Sequence, residues 1–144
     1  MINLDYMCMK HAQMIANSVE TSDSKNIKDL ERNLRKALGV LKEDGVYAMF
    51  LWLESKDKNN IRTNLTNFLN DDYDSIKIRE YLLGKDEKFQ TKFDDFCGDL
   101  KTVAEDIDKL LFMKKILERT LIYSLHHVKV KAGEWYVERY CSFV

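Results

Sequence analysis

The side chains that could do chemistry fall into three groups. The first is a run of carboxylates, Asp94, Asp95, Asp99, Glu105, Asp106 and Asp108, the raw material of a metal-dependent all-α nucleotide pyrophosphatase. Such a site needs carboxylates three apart on two facing helices, so that both pairs hold the same divalent cations. Asp95 and Asp99 are four apart and no matched pair stands elsewhere. Carboxylates so spaced read more simply as a solvated helix face. The second group is His126 and His127. Adjacent residues on a helix point about 100° apart, so these two imidazoles cannot share one metal, and a third ligand is missing. No Glu-x-x-His pattern marks a di-iron bundle, and the five glycines stand singly rather than in a phosphate-binding loop. No metal, cofactor or catalytic residue is expected.

The third group is basic. On a helical wheel Lys25, Lys28, Arg32, Arg35 and Lys36 share one arc, opposite the apolar residues of the same segment, with Asp29 and Glu43 at or near it. A basic stripe on a helix can follow a phosphate backbone. Lys115, Arg119 and His126 repeat the arrangement more weakly near the C-terminus, with Lys129 and Lys131 flanking its end. The formal net charge is −1, from 23 basic and 24 acidic side chains, so any nucleic-acid role must come from such a local strip.

The elements that must position these residues are helices. The chain has 144 residues and no proline, a length that suits one domain with one core. Apolar periodicity predicts a helix over about 6–20, with Asp5 as its cap, from Cys8, Ala12, Ile15, Ala16 and Val19. A second begins near Ser24, carries Ile27, Leu30, Leu34, Ala37, Leu38 and Leu41 on one face, and stops at Asp44-Gly45. The apolar run Val46 to Leu53 reads as a short central helix packed on several sides, with a buried strand as the alternative. Ile61, Leu65, Phe68 and Leu69 mark a fourth helix, and Ile76 to Leu83 a weaker fifth closed by Gly84. From Phe89 to Val128 the stripe predicts one or two long helices, with Gly98 as the break and Gly133 as the stop. The expected fold is a single all-α domain of five to seven helices with its core over about 6–132, followed by an aromatic tail, 133–144. Leu34, Leu41, Phe50, Leu53, Leu65, Phe68, Leu110, Leu117 and Leu121 are its expected core.

The eight-residue apolar run is far short of the roughly 18–20 residues that cross a bilayer, and the N-terminus lacks the pattern of a secretory signal. No membrane association and a cytoplasmic location are expected. Cys8, Cys97 and Cys141, three in number and widely spaced, read as buried free thiols rather than a disulfide framework or a zinc knuckle.

The block LGVLKEDGVYAMFLWLESK resembles the central signature of the small helical subunit of Cmr-type (type III-B) CRISPR RNA-targeting complexes. That family ends a helix in a leucine-rich turn, a basic residue and Asn-Gly, then enters an apolar helix closed by Ser-Lys. Leu38, Leu41, Lys42, Asp44, Gly45, Ala48, Phe50, Leu51, Ser55 and Lys56 stand at comparable places. The order of flanking helices fits across most of residues 7–132. Departures are Asp44 in place of asparagine, no proline near Gly39, and SLHHVKVK where the family carries a Trp-Leu-Lys-Arg-Phe-like segment. The resemblance implies a non-catalytic subunit in antiviral defence, present in several copies that stack on one another and on other effector subunits, helping to hold guide and target RNA. It adds Lys42 and Lys56, which flank the block, to the basic candidates for RNA contact. The other reading is a general helical adaptor that takes a partner helix in an apolar groove.

Overall fold

The computed structural model describes residues 3–20, 23–56, 60–72 and 77–133. Among them are seven helices and no strand. They are α1 (Leu4–Ala16), α2 (Ser24–Asp44), α3 (Val46–Lys56), α4 (Ile61–Leu69), α5 (Ile78–Leu83), α6 (Phe93–Ala104) and α7 (Ile107–Ala132). The fold is all-α, as the periodicity requires.

The spine is α7, whose 26 residues span about 39 Å at the helical rise of about 1.5 Å per residue. Both α1 and α2 pack along it, α3 packs on α2, and α4 bridges α1 and α3. The short α5 and the α6 helix pack on each other and on α7. The buried side chains form one core. Phe50 of α3 meets Phe96 of α6 edge-on at 4.7 Å between ring centroids, a geometry that aligns ring edge with ring face. Eight of the nine expected core residues are buried, and Leu110 is half-buried. It stands in the first turn of α7, where α6 and the α2–α3 corner leave an open groove.

Several boundaries differ from expectation. The cap of α1 is Asn3, whose side chain accepts from the Tyr6 amide. Asp5 instead accepts from the Tyr123 hydroxyl and faces Arg119 at 3.8 Å. The cap of α2 is Asp23, which accepts from both the backbone and the side-chain amide of Asn26, one residue before Ser24. Gly98 lies inside α6; the break falls at Glu105 and Asp106, where Asp106 caps α7 through the Asp108 amide. The apolar α3 buries Val46, Met49, Phe50 and Leu53, while Tyr47 and Leu51 face outward. It packs against α2, α4, α6 and α7, with the side that carries Tyr47 and Leu51 left open. Ile76, Cys141 and the aromatic tail from residue 134 lie outside the described residues.

Gly45 is the corner. Its φ of 98° and ψ of −176° fall in a region essentially restricted to glycine. Its amide donates to the carbonyls of Val40 and Leu41, closing α2, while its own carbonyl accepts from Met49 and opens α3. One residue thus turns the chain back on itself.

Among the described residues, no buried side-chain nitrogen or oxygen lacks a hydrogen-bond partner. Thr66, Thr120 and Ser124 bond the carbonyl four residues earlier in their own helices, and buried Arg79 bonds Asp72 and the Glu87 carbonyl. None of the described helices is long and apolar enough to cross a membrane.

Candidate nucleic-acid interface

Because Gly45 folds α3 back along α2, residues on either side of the corner come together. Arg32 and Lys36 of α2 meet Trp52 and Lys56 of α3 in this way. They line a cleft of about 460 Å³ whose other walls are Asn26, Asp29 and Asn33. On the α2 side the lining follows the spacing 26, 29, 33, 36, one ridge of a helix. On the α3 side Trp52 and Lys56 are four apart and so share a face. Three cations and one carboxylate surround the opening.

Asp29 holds one of those cations. Its Oδ1 accepts from Arg32 Nη2 at 2.7 Å, an exposed pair on one helix face whose net stabilisation is about 0.3–0.5 kcal/mol. Lys36 and Lys56 have no hydrogen bond or ion pair among the described residues. Two ammonium groups are therefore available for an anion, and a third cation can be recruited by breaking a weak pair.

The structure divides the remaining basic candidates. Lys25, Lys28 and Arg35 are exposed on α2 but do not line the cleft. Arg35 donates to Glu31 Oε1 at 2.5 Å, and Glu31 is only 5% exposed. Arg35 thus neutralises a carboxylate at the edge of the core. Lys42 is exposed on the last turn of α2, away from the cleft. Lys129 is half-buried near the end of α7. Lys131 donates to the carbonyls of Ala16 at 3.0 Å and Val19 at 2.8 Å. Its ammonium caps the C-terminus of α1, a place where the helix dipole favours a cation.

Trp52, which is not among the basic candidates, also lines the cleft. Its signal in the sequence is the four-residue spacing to Lys56, which puts an aromatic ring and a cation on one face.

Two carboxylates of the run, Asp99 and Asp106, accept hydrogen bonds from backbone amides. Asp99 accepts from the Gln90 amide at 2.8 Å, fixing the approach to α6, and burial pushes its carboxyl above its ordinary value despite that bond. Asp106 is a helix cap. Among the described residues no group of three or more His, Cys, Asp or Glu is placed to hold a metal. His126 and His127 line a shallow hollow with Met9, Ala12, Gln13 and Tyr123.

A second cavity, of about 470 Å³, lies at the α2–α3 corner between Val46, Tyr47, Leu100, Ala104 and Leu110. Its walls are mainly apolar, with Asp44 and Lys101 as the charged residues among them.

Comparison of the chain with protein-family models, with curated proteins and with solved structures finds no match.

Proposed function

We propose that this chain is a non-catalytic subunit of a Cmr-type CRISPR RNA-targeting complex, and that it holds RNA at the cleft between α2 and α3. The observation that carries the reading is the convergence of Arg32, Lys36 and Lys56 around Trp52. Arg32 and Lys36 come from the basic stripe and Lys56 from the end of the resembling block, so two independent features of the sequence meet at one place. Cations beside an aromatic ring suit a ligand that carries both phosphates and bases. A near-neutral subunit can serve in this way because a copy surrounded by protein needs only a strip of positive surface, and stacked copies add their contacts through effective concentration.

The test is RNA retention by an effector complex reconstituted with the triple variant Arg32→Glu, Lys36→Glu and Lys56→Glu, across a salt series. Each phosphate contact on a single strand contributes about 0.7 to the slope of log affinity against log salt. Three lost contacts should lower that slope by roughly 2. Unchanged affinity with an unchanged slope overturns the reading. The isolated chain should turn over neither RNA nor nucleoside triphosphates with magnesium; turnover abolished by Asp95→Ala or Asp99→Ala would favour a hydrolase.

The apolar corner cavity favours a second reading, a helical adaptor that seats an amphipathic helix of a neighbouring protein against Tyr47 and Leu110. Tyr47→Asp would then abolish partner assembly while leaving RNA retention unchanged, the converse of the triple reversal.

A further inference from the structure

We propose that the α2–α3 cleft seats one unpaired nucleotide of a single-stranded RNA, its base against Trp52 and its phosphate against Lys36 and Lys56. This rests on the reading that the cleft is where RNA is held, and it specifies the form of the ligand. A basic strip alone would serve a duplex equally well, since a phosphate backbone is available on either. The aromatic ring separates the two cases. In a duplex the base faces are already stacked on one another, whereas an unpaired base offers its face to an aromatic side chain.

The dimensions agree with a single nucleotide. About 460 Å³ lies within the roughly 300–1,000 Å³ of clefts that take small-molecule ligands. The walls divide the ligand's chemistry between them. Trp52, half-buried against the core, gives the cleft an aromatic wall, and because every base has a π face, stacking there would impose little sequence preference. Lys36 and Lys56 offer charge, and Asn26 and Asn33 complete the polar part of the wall. Asp29 is the one wall residue that repels a phosphate. It also occupies Arg32, so an entering phosphate competes with Asp29 for that guanidinium. The cleft therefore carries its own brake on anion binding.

The experiment uses the full chain with Trp135→Phe, which leaves Trp52 as the single tryptophan, since the sequence has two. Fluorescence is titrated with a single-stranded RNA homopolymer, a duplex RNA of the same length and inorganic polyphosphate. Quenching by the single strand, with none by the duplex or polyphosphate, is the expected result. Trp52→Leu should weaken single-strand binding about 5- to 150-fold, the loss of one base–aromatic stack, and leave duplex binding unchanged. Trp52→Tyr keeps an aromatic face and should restore most of the affinity, which a merely destabilised fold would not. Asp29→Asn should tighten single-strand binding severalfold. If the single strand binds without quenching and Trp52→Leu binds as tightly as the parent, the nucleotide seat is overturned while a phosphate-holding role survives. If the Arg32, Lys36 and Lys56 reversal leaves binding unchanged, the cleft is not the RNA site and both readings fall.

Discussion

Replacing Lys131 with methionine separates a structural cation from an RNA-binding one. Methionine preserves most of the apolar stem and removes the ammonium that donates to Ala16 and Val19 at 3.0 and 2.8 Å. Hydrogen bonds from a charged donor contribute about 1.5–3 kcal/mol each when fully formed. These carbonyls lie at a helix end, where water replaces part of what is lost. A cation at a helix C-terminus adds about 0.3–1 kcal/mol through the dipole. The combined loss should be about 2 kcal/mol. For a chain of this size each kcal/mol moves the melting temperature by roughly 2–4 °C, so Tm should fall by roughly 4–8 °C. Urea denaturation of the free chain measures the stability, and RNA retention by the assembled complex measures function. The expected outcome is a lowered urea midpoint with no change in the salt slope of retention. Lys129→Met, which removes a cation two residues away, should leave stability within about 0.5 kcal/mol of the parent. A Lys131→Met variant of unaltered stability with a shallower salt slope would refute the capping argument and return Lys131 to the RNA path.

Other outcomes follow from the core, the corner and the buried histidine. Leu34→Ala and Leu121→Ala, at fully buried positions, should each cost about 2–5 kcal/mol in urea titrations, and half-buried Leu110→Ala should cost less than either. Gly45→Ala should cost about 1–3 kcal/mol from its positive φ alone, because a Cβ there meets nothing within 4 Å. Gly39→Ala, at an exposed position inside α2, should gain about 0.5–1 kcal/mol in the same assay. Acidification should destabilise the fold in two steps. Burial holds the His11 imidazole below its ordinary 6.5, although Asp71 pulls the other way, so the unfolded chain takes up the proton first and stability falls as pH drops below about 6.5. Burial pushes Asp71 up, but hydrogen bonds from His11 and Lys10 outweigh it and hold the carboxyl below 3.8, so a further loss follows below that value. His11→Gln should flatten the urea midpoint between about pH 7.5 and about pH 5; an unaltered slope in that variant would assign the titration elsewhere.

Helix type and the glycine stops were legible in the residues because both are local properties. The spacing of Ile27, Leu30, Leu34 and Leu41 can bury one face only on a helix, and Gly45, Gly84 and Gly133 all take positive φ where helices end. Caps were less legible where two capping side chains are neighbours. Asp23 and Ser24 both qualify, and Asn26, which donates twice to Asp23, decides between them. The break between α6 and α7 was misplaced for a related reason. A glycine tolerates a break without demanding one, whereas Asp106 makes the bond that starts the next helix.

The basic residues mark where local information ends. Local residue patterns suffice for an all-α chain, the apolar faces of its helices and the arc of α2 that carries Lys25, Lys28, Arg32, Arg35 and Lys36. Periodicity reports which side of a helix faces inward but carries nothing about what lies beside its outer edges. Tertiary packing sets the rest: Glu31 is buried and neutralised by Arg35, Lys131 caps a helix more than a hundred residues earlier in the chain, and Lys36 and Lys56 line one cleft with Trp52. Each outcome depends on which side chain the fold brings to the same place, and a cation is spent or left open according to the carboxylate or carbonyl it meets there.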